Sequence, residues 1–80
     1  MHIIYVISSI KTPGKLYIGY TVDIDQPLLV HNAGKSVYTA KFRPWNLVWH
    51  CTFEEEAKAK SFEQYLKTGS GKALLTKHIL

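Results

Sequence analysis

Ile3-Ile4-Tyr5-Val6-Ile7-Ser8, then Thr12-Pro13-Gly14, then Lys15-Leu16-Tyr17-Ile18-Gly19-Tyr20 is the stretch on which the fold turns. Two runs of aliphatic and aromatic residues, each of strand length and separated by a Pro-Gly turn signal, predict a β-hairpin. Residues opposite one another in an antiparallel pair share a face. A plain two-residue Pro13-Gly14 turn, pairing Thr12 with Lys15, would therefore send Tyr5 and Tyr17 to opposite faces. The two tyrosines cooperate only if the connection is longer or carries a bulge.

Beyond the hairpin, Asp23 and Asp25 both suit the N-cap of a short helix through Val30, which the His31-Asn32-Ala33-Gly34 segment closes. Pro27 favours Asp25, because a proline in the first helical turn lacks only an amide that has no partner there. Gly34 to Pro44 reads as a polar loop, and Leu47 to Phe53 as a third, β-branched and aromatic strand. Trp45, Trp49 and Phe53 fall at even spacing on it and are expected to form one core floor. Thr52 and Glu55 have capping-box spacing ahead of a helix reaching about Thr68, with Ala59, Phe62, Tyr65 and Leu66 as its buried stripe. Gly69 and Gly71 suggest a stop and a flexible joint. Lys72 to Ile79 then forms a terminal helix with Leu74, Leu75 and Ile79 inward. The expected fold is α/β: ββαβα plus a short C-terminal helix, with a three-stranded antiparallel sheet flanked by helices.

Eighty residues suit one domain, 1–80, with an ordinary apolar content for a globular chain. No apolar run approaches the ~18 residues of a membrane span and no signal-peptide pattern opens the chain, so the expectation is a cytoplasmic protein without a membrane partner. Cys51 is the only cysteine, which excludes an internal disulfide and a multi-cysteine zinc site, and reads as a buried structural thiol. Ten Lys and Arg against six Asp and Glu give a net charge of +4, compatible with a polyanionic partner. Nine of the ten cations are lysines, which meet phosphate as point charges, so any nucleic-acid binding is expected to tolerate sequence.

Taken in order, Ile3-Ile4-Tyr5, Tyr17-Ile18-Gly19, Tyr20-Thr21, His31-Asn32 with Gly34-Lys35, Thr39, Arg43-Pro44-Trp45 with Leu47-Val48, and Glu63 before Tyr65-Leu66-Lys67 resemble the GIY-YIG nuclease family. The likeness is to its small stand-alone branch, related to the N-terminal domain of the excision-repair nuclease. Ile3 stands where the family has its first glycine, and Pro27 where it has its catalytic arginine. The resemblance implies divalent-metal-dependent hydrolysis of DNA phosphodiesters. Its site would comprise Tyr5, Tyr17, Gly19, His31 and Glu63. Tyr17 or Tyr5 would orient or deprotonate water, His31 would assist proton transfer or positioning, and Glu63 would hold one Mg²⁺ or Mn²⁺ ion once substrate is bound. Lys15, Lys35, Lys41, Arg43 and Lys67 are the candidate contacts to the DNA backbone, with any selectivity borrowed from a protein partner. Arg43, Lys35 and Lys41 are the candidates to replace the missing guanidinium.

The same residues have plainer readings. Tyr5 and Tyr17 can be half-buried strand tyrosines, Glu63 an i,i+4 partner of Lys67, and His31 a helix C-terminal histidine on the dipole. A catalytically inactive nucleic-acid or protein binding module, favoured by Pro27, stands as the alternative to an endonuclease. A structural domain unconnected with nucleic acid is the third reading.

Overall fold

The computed structural model describes residues 1–80. Strands β1 (His2–Ser9) and β2 (Leu16–Thr21) form the hairpin, and β3 (Trp45–Phe53) pairs with the other edge of β1, giving an antiparallel sheet of order β2-β1-β3. Helix α1 (Asp25–Asn32) and a single-turn α2 (Val37–Ala40) lie between β2 and β3. Helices α3 (Glu56–Leu66) and α4 (Gly69–Leu74) follow, and a π-helical turn, Leu75–Ile79, ends the chain. No helix is long and apolar enough to cross a membrane.

The hairpin connection is the longer one that cooperating tyrosines require. Ser8 pairs with Leu16, and the Lys15 amide returns to the Thr12 carbonyl at 3.1 Å around Pro13 and Gly14. Gly14 has φ +89°, the left-handed value that the third residue of a type II turn needs. In this register Ile7 faces Tyr17 and Tyr5 faces Gly19, so both tyrosines lie on one side of the sheet.

Each face of the sheet carries its own core. On one side Ile4, Val6 and Ile18 pack with Ala59, Leu66 and Leu75 of the C-terminal helices. On the other Tyr5, Ile7 and Trp45 pack with Tyr17, Ile24, Leu28, Phe42 and Leu47. The sequence reading of Trp45, Trp49 and Phe53 as one floor is corrected here. Val6 pairs with Trp49 but Ile7 with Leu47, so the ladder carries a β-bulge at Val48. One extra residue reverses the facing of everything beyond it. Trp49 and Phe53 therefore join the helical side, and Trp45 and Leu47 the tyrosine side.

Other expectations also shift. Helix α1 begins one residue after Ile24 rather than after a capping Asp25, and Asp23 Oδ1 accepts from the Asp25 amide at 3.0 Å instead. The helix runs through Asn32, two residues beyond Val30, which carries His31 on it. The expected loop 34–44 contains α2. Thr52 and Glu55 form no capping box: Glu55 is itself the N-cap and its carboxylate pairs with Lys58 at 3.2 Å. Helix α3 ends at Leu66, and Tyr65 sits on its exposed side.

Gly69 and Gly71 are the first turn of α4 rather than a joint. The Thr68 hydroxyl caps that turn, donating to the Tyr65 carbonyl at 2.6 Å and accepting from the Gly71 amide at 3.2 Å. Gly71 is buried, and a Cβ there would overlap the Tyr65 carbonyl oxygen, whereas one at Gly69 meets nothing. The two glycines therefore predict opposite outcomes. Gly71→Ala loses about 1–3 kcal/mol through a backbone clash. Gly69→Ala is neutral or gains up to ~1 kcal/mol from helix propensity. Urea unfolding of the two variants beside the parent checks this, and equal effects would contradict the packing described.

Candidate active site

The tyrosine side of the sheet is built outward from Gly19. The Tyr5 ring crosses the edge strand directly over this residue, and any Cβ at position 19 would overlap the Tyr5 hydroxyl. Tyr5 therefore reaches the sheet edge while staying 5% exposed, and its hydroxyl meets His31 Nε2 at 3.0 Å. His31 is 6% exposed, and its Nδ1 lies 2.7 Å from the Thr39 hydroxyl. Thr39 Oγ1 also approaches the Ser36 carbonyl at 3.5 Å. One arrangement satisfies all of these groups: Thr39 donates to Ser36, Nδ1–H of His31 donates to Thr39, and Tyr5 donates to Nε2.

Local sequence explains how three distant segments meet. Pro27 and His31 are the buried residues of α1, four apart on one helical face, and that face packs on the tyrosine side. Pro27 interrupts no helical hydrogen bond because it lies in the first turn. Asn32 fastens the other end of α1 to β3, its Nδ2 donating to the Trp45 carbonyl at 3.1 Å and its Oδ1 accepting from the Trp45 amide at 2.6 Å. The Trp45 indole N–H donates to the Thr39 carbonyl at 2.8 Å, which fixes α2 beneath His31. Thr39 and Asn32 are among the residues that carry the family resemblance, but neither is among the expected site residues. A buried threonine inside a polar stretch carries no local signal.

Tyr17 completes the cluster. Its ring centroid is 4.9 Å from that of His31 and 6.5 Å from that of Tyr5, and it is only partly buried. The two tyrosines thus differ in character. Burial drives the Tyr5 hydroxyl well above the usual phenol range, with Tyr17 and the Glu63 carboxylate adding to the effect, so Tyr5 stays protonated. Burial also lowers His31, which favours the neutral ring.

Glu63 lies on α3, close enough for Tyr5 to feel its charge, with its side chain 15% exposed. Its direct partner is Lys67, at 3.1 Å. Arg43 packs against Gly34, whose φ of +77° and lack of a Cβ leave room for the guanidinium. Lys15 lies over the rings of Tyr38 and Phe42, at 5.1 and 4.7 Å, beside Tyr17. Lys35 and Lys41 are exposed at either end of the α2 segment. Cys51 is half-buried against the helical core, and burial raises its thiol. His2 bonds Tyr20 through Nδ1 at 2.7 Å, on the side of the sheet away from Tyr17.

A depressed native His31 gives a stability profile of definite sign. On acidification from pH 7.5 to 5.5 the unfolded histidine takes up its proton near ~6.5 while the folded ring resists, so the unfolded state binds more protons and stability falls. The expected result is a urea midpoint that drops across this interval in the parent and drops less in His31→Gln. Equal slopes would show that the native ring titrates as it does in the unfolded chain.

A sequence-family model described as the GIY-YIG catalytic domain matches residues 1–76. A UPF0213 protein of Bacillus pumilus is 38% identical over 72 residues, covering 89% of this chain and 71% of the relative. One from Staphylococcus saprophyticus is 36% identical over 70 residues, covering 86% and 83%. One from Streptococcus pneumoniae is 40% identical over 55 residues, covering 68% and 56%. The paired tyrosines over an obligatory glycine therefore lie within a match that spans nearly the whole sequence, and the chain belongs to the GIY-YIG family of nuclease-type domains, in its UPF0213 group.

Proposed function

We propose that the chain is a slow, metal-dependent DNA phosphodiesterase in which Tyr17 presents the reactive oxygen and Tyr5, His31 and Thr39 hold it in place. The observation that carries this reading is the pairing of a half-exposed tyrosine with a buried, fully hydrogen-bonded one. Tyr5 spends its hydroxyl on His31, so it is a positioning residue. Tyr17 has its ring against the same imidazole and is only partly buried, and as the phenolate it would take the proton from the attacking water.

The donor chemistry supports one hard cation. No three His, Cys, Asp or Glu side chains gather to form a metal site, which argues against zinc. A single carboxylate suits Mg²⁺ or Mn²⁺ when substrate phosphate and waters complete the octahedron, and Glu63 is the residue that would hold it after releasing Lys67. The ion supplies charge neutralisation at the phosphoryl oxygens and acidifies bound water. A phenol is a weak base at neutral pH, and nearby positive charge favours its ionised form.

Pro27 limits the rate. It lies on the His31 face of α1, where the family's arginine would offer two donors to the phosphate, and it offers none. A phosphoryl-clamping arginine is worth ~10³–10⁵ in rate. Arg43 packs beside Gly34 rather than on the Pro27 face of α1, and the remaining cations of that end are lysines, which neutralise phosphate without a bidentate fork. Buried, apolar Pro27 also favours a second reading, in which the site binds DNA backbone without cutting it.

Labelled duplex, flap and branched DNA incubated with Mg²⁺ or Mn²⁺ test both readings. Cleavage by the parent is expected to be slow, to vanish in Glu63→Ala and Tyr17→Phe, and to rise at least ~10²-fold in Pro27→Arg. Binding with no cleavage by the parent, and activity only in Pro27→Arg, would sink the enzymatic reading in favour of the binding module.

A further inference from the structure

The charges of this chain are segregated in a way its net charge conceals. Residues 1–22 and 26–53 contain no Asp or Glu. All three salt bridges lie on α3 or its ends, pairing Glu55, Glu56 and Glu63 with Lys58, Lys60 and Lys67. Lys11, Lys15, Lys35, Lys41 and Arg43 have no acidic partner, and the fold gathers their segments at one end. Ser9 Oγ donates to the Phe42 carbonyl, the Ile10 amide donates to the Pro44 carbonyl at 2.9 Å, and Lys15 lies over Tyr38 and Phe42.

Within that basic end is an exposed aromatic surface. Tyr38 is 49% exposed, its hydroxyl has no hydrogen-bond partner, and its neighbour Val37 is 83% exposed. Its ring lies 6.4 Å from Tyr17. An exposed apolar pair on a loop would be unremarkable, but these residues stand on α2, which the fully buried Thr39 ties to His31. The platform is therefore rigidly placed beside Tyr17. A flat π-face set among unpaired cations next to a phosphodiester site is the combination that single-stranded nucleic acid uses, with stacking for bases and cations for phosphates. The Lys15 ammonium over an exposed ring is weakly held and can move to a phosphate as a base takes its place.

We infer that Tyr38 is a base-stacking seat for an unpaired DNA nucleotide adjoining the phosphodiester that Tyr17 addresses, with Lys15 on the neighbouring phosphate. This rests on the phosphodiester reading of the tyrosine site for its position, and not for the binding it describes. A base engaged in a duplex keeps both faces stacked on its neighbours and cannot use the seat. The chain therefore prefers single-stranded or tailed DNA to blunt duplex of the same length.

The test is fluorescence anisotropy with a labelled oligodeoxynucleotide, single-stranded or in blunt duplex, across a salt series and without added metal. The variants are Tyr38→Ala, Tyr38→Phe and Lys15→Ala, each checked for native circular dichroism. Tyr38→Ala is expected to weaken single-strand binding ~5–100-fold while leaving duplex binding within about twofold. Tyr38→Phe keeps the parent affinity. In a log–log plot of affinity against salt, Tyr38→Ala leaves the slope unchanged and Lys15→Ala reduces it by ~0.7. A 2-aminopurine in the strand is quenched by the parent and not by Tyr38→Ala. Equal loss on both DNA forms, or none on either, overturns the seat even if the chain cuts DNA. Absence of cleavage in the separate Mg²⁺ or Mn²⁺ assay, alongside the predicted single-strand loss here, would remove the enzymatic reading and leave the seat standing.

Discussion

The Tyr5 side chain lies across Gly19, and most of the functional side of the molecule is arranged around that crossing. A strand tyrosine ordinarily stands on its own face of the sheet with its hydroxyl in water. Here the missing Cβ at position 19 lets the ring lie flat over the edge strand and deliver its hydroxyl to His31. Through that bond the hairpin is joined to α1, through Thr39 to α2, and through Trp45 and Asn32 to β3. A buried polar chain of this kind is costly unless each member is satisfied, and no buried side-chain nitrogen or oxygen in the protein lacks a partner. The same geometry explains why the second tyrosine is available: Tyr17 shares the imidazole through its ring and not through its hydroxyl.

The hairpin and the helical order were legible because they rest on local chemistry. Pro13-Gly14 and two apolar runs set the turn, and parity alone required a connection longer than two residues if Tyr5 and Tyr17 were to share a face. The bulge at Val48 was not legible. Leu47 to Phe53 alternates without interruption in the sequence, yet one unpaired residue sends Trp45 and Trp49 to opposite sides. Even spacing reports alternation along a strand, not the register of its partner. The Thr52/Glu55 spacing misled because β3 runs on through Thr52 to Phe53 and α3 begins only at Glu56, which makes Glu55 the N-cap rather than the third residue of the helix.

For the site, the resemblance supplied Tyr5, Tyr17, His31 and Glu63, and the structure brings the first three into mutual contact. Their division of labour was not readable, since it follows from burial. Tyr5 and Tyr17 are the same residue type on adjacent strands, but β1 is central and β2 an edge, and the Tyr5 ring over Gly19 makes it a buried donor while Tyr17 stays partly exposed. Thr39 and Tyr38 lie in a segment that reads as an ordinary polar loop, and Asn32 in one that reads only as the close of a helix, so their positions were not legible. The charge balance was likewise misleading as a total. Three lysines are neutralised along α3, while five cations with no acidic partner collect at the hairpin end.

His31 is a neutral ring held between a donating Tyr5 and an accepting Thr39, and the proposed role of Tyr17 depends on that arrangement. The most direct measurement is the ¹⁵N NMR signature of the His31 ring over a pH titration. The account predicts the Nδ1–H tautomer at neutral pH, with protonation only below the ordinary histidine value of about 6.5. An Nε2–H tautomer, or a ring that titrates at or above that value, would contradict it.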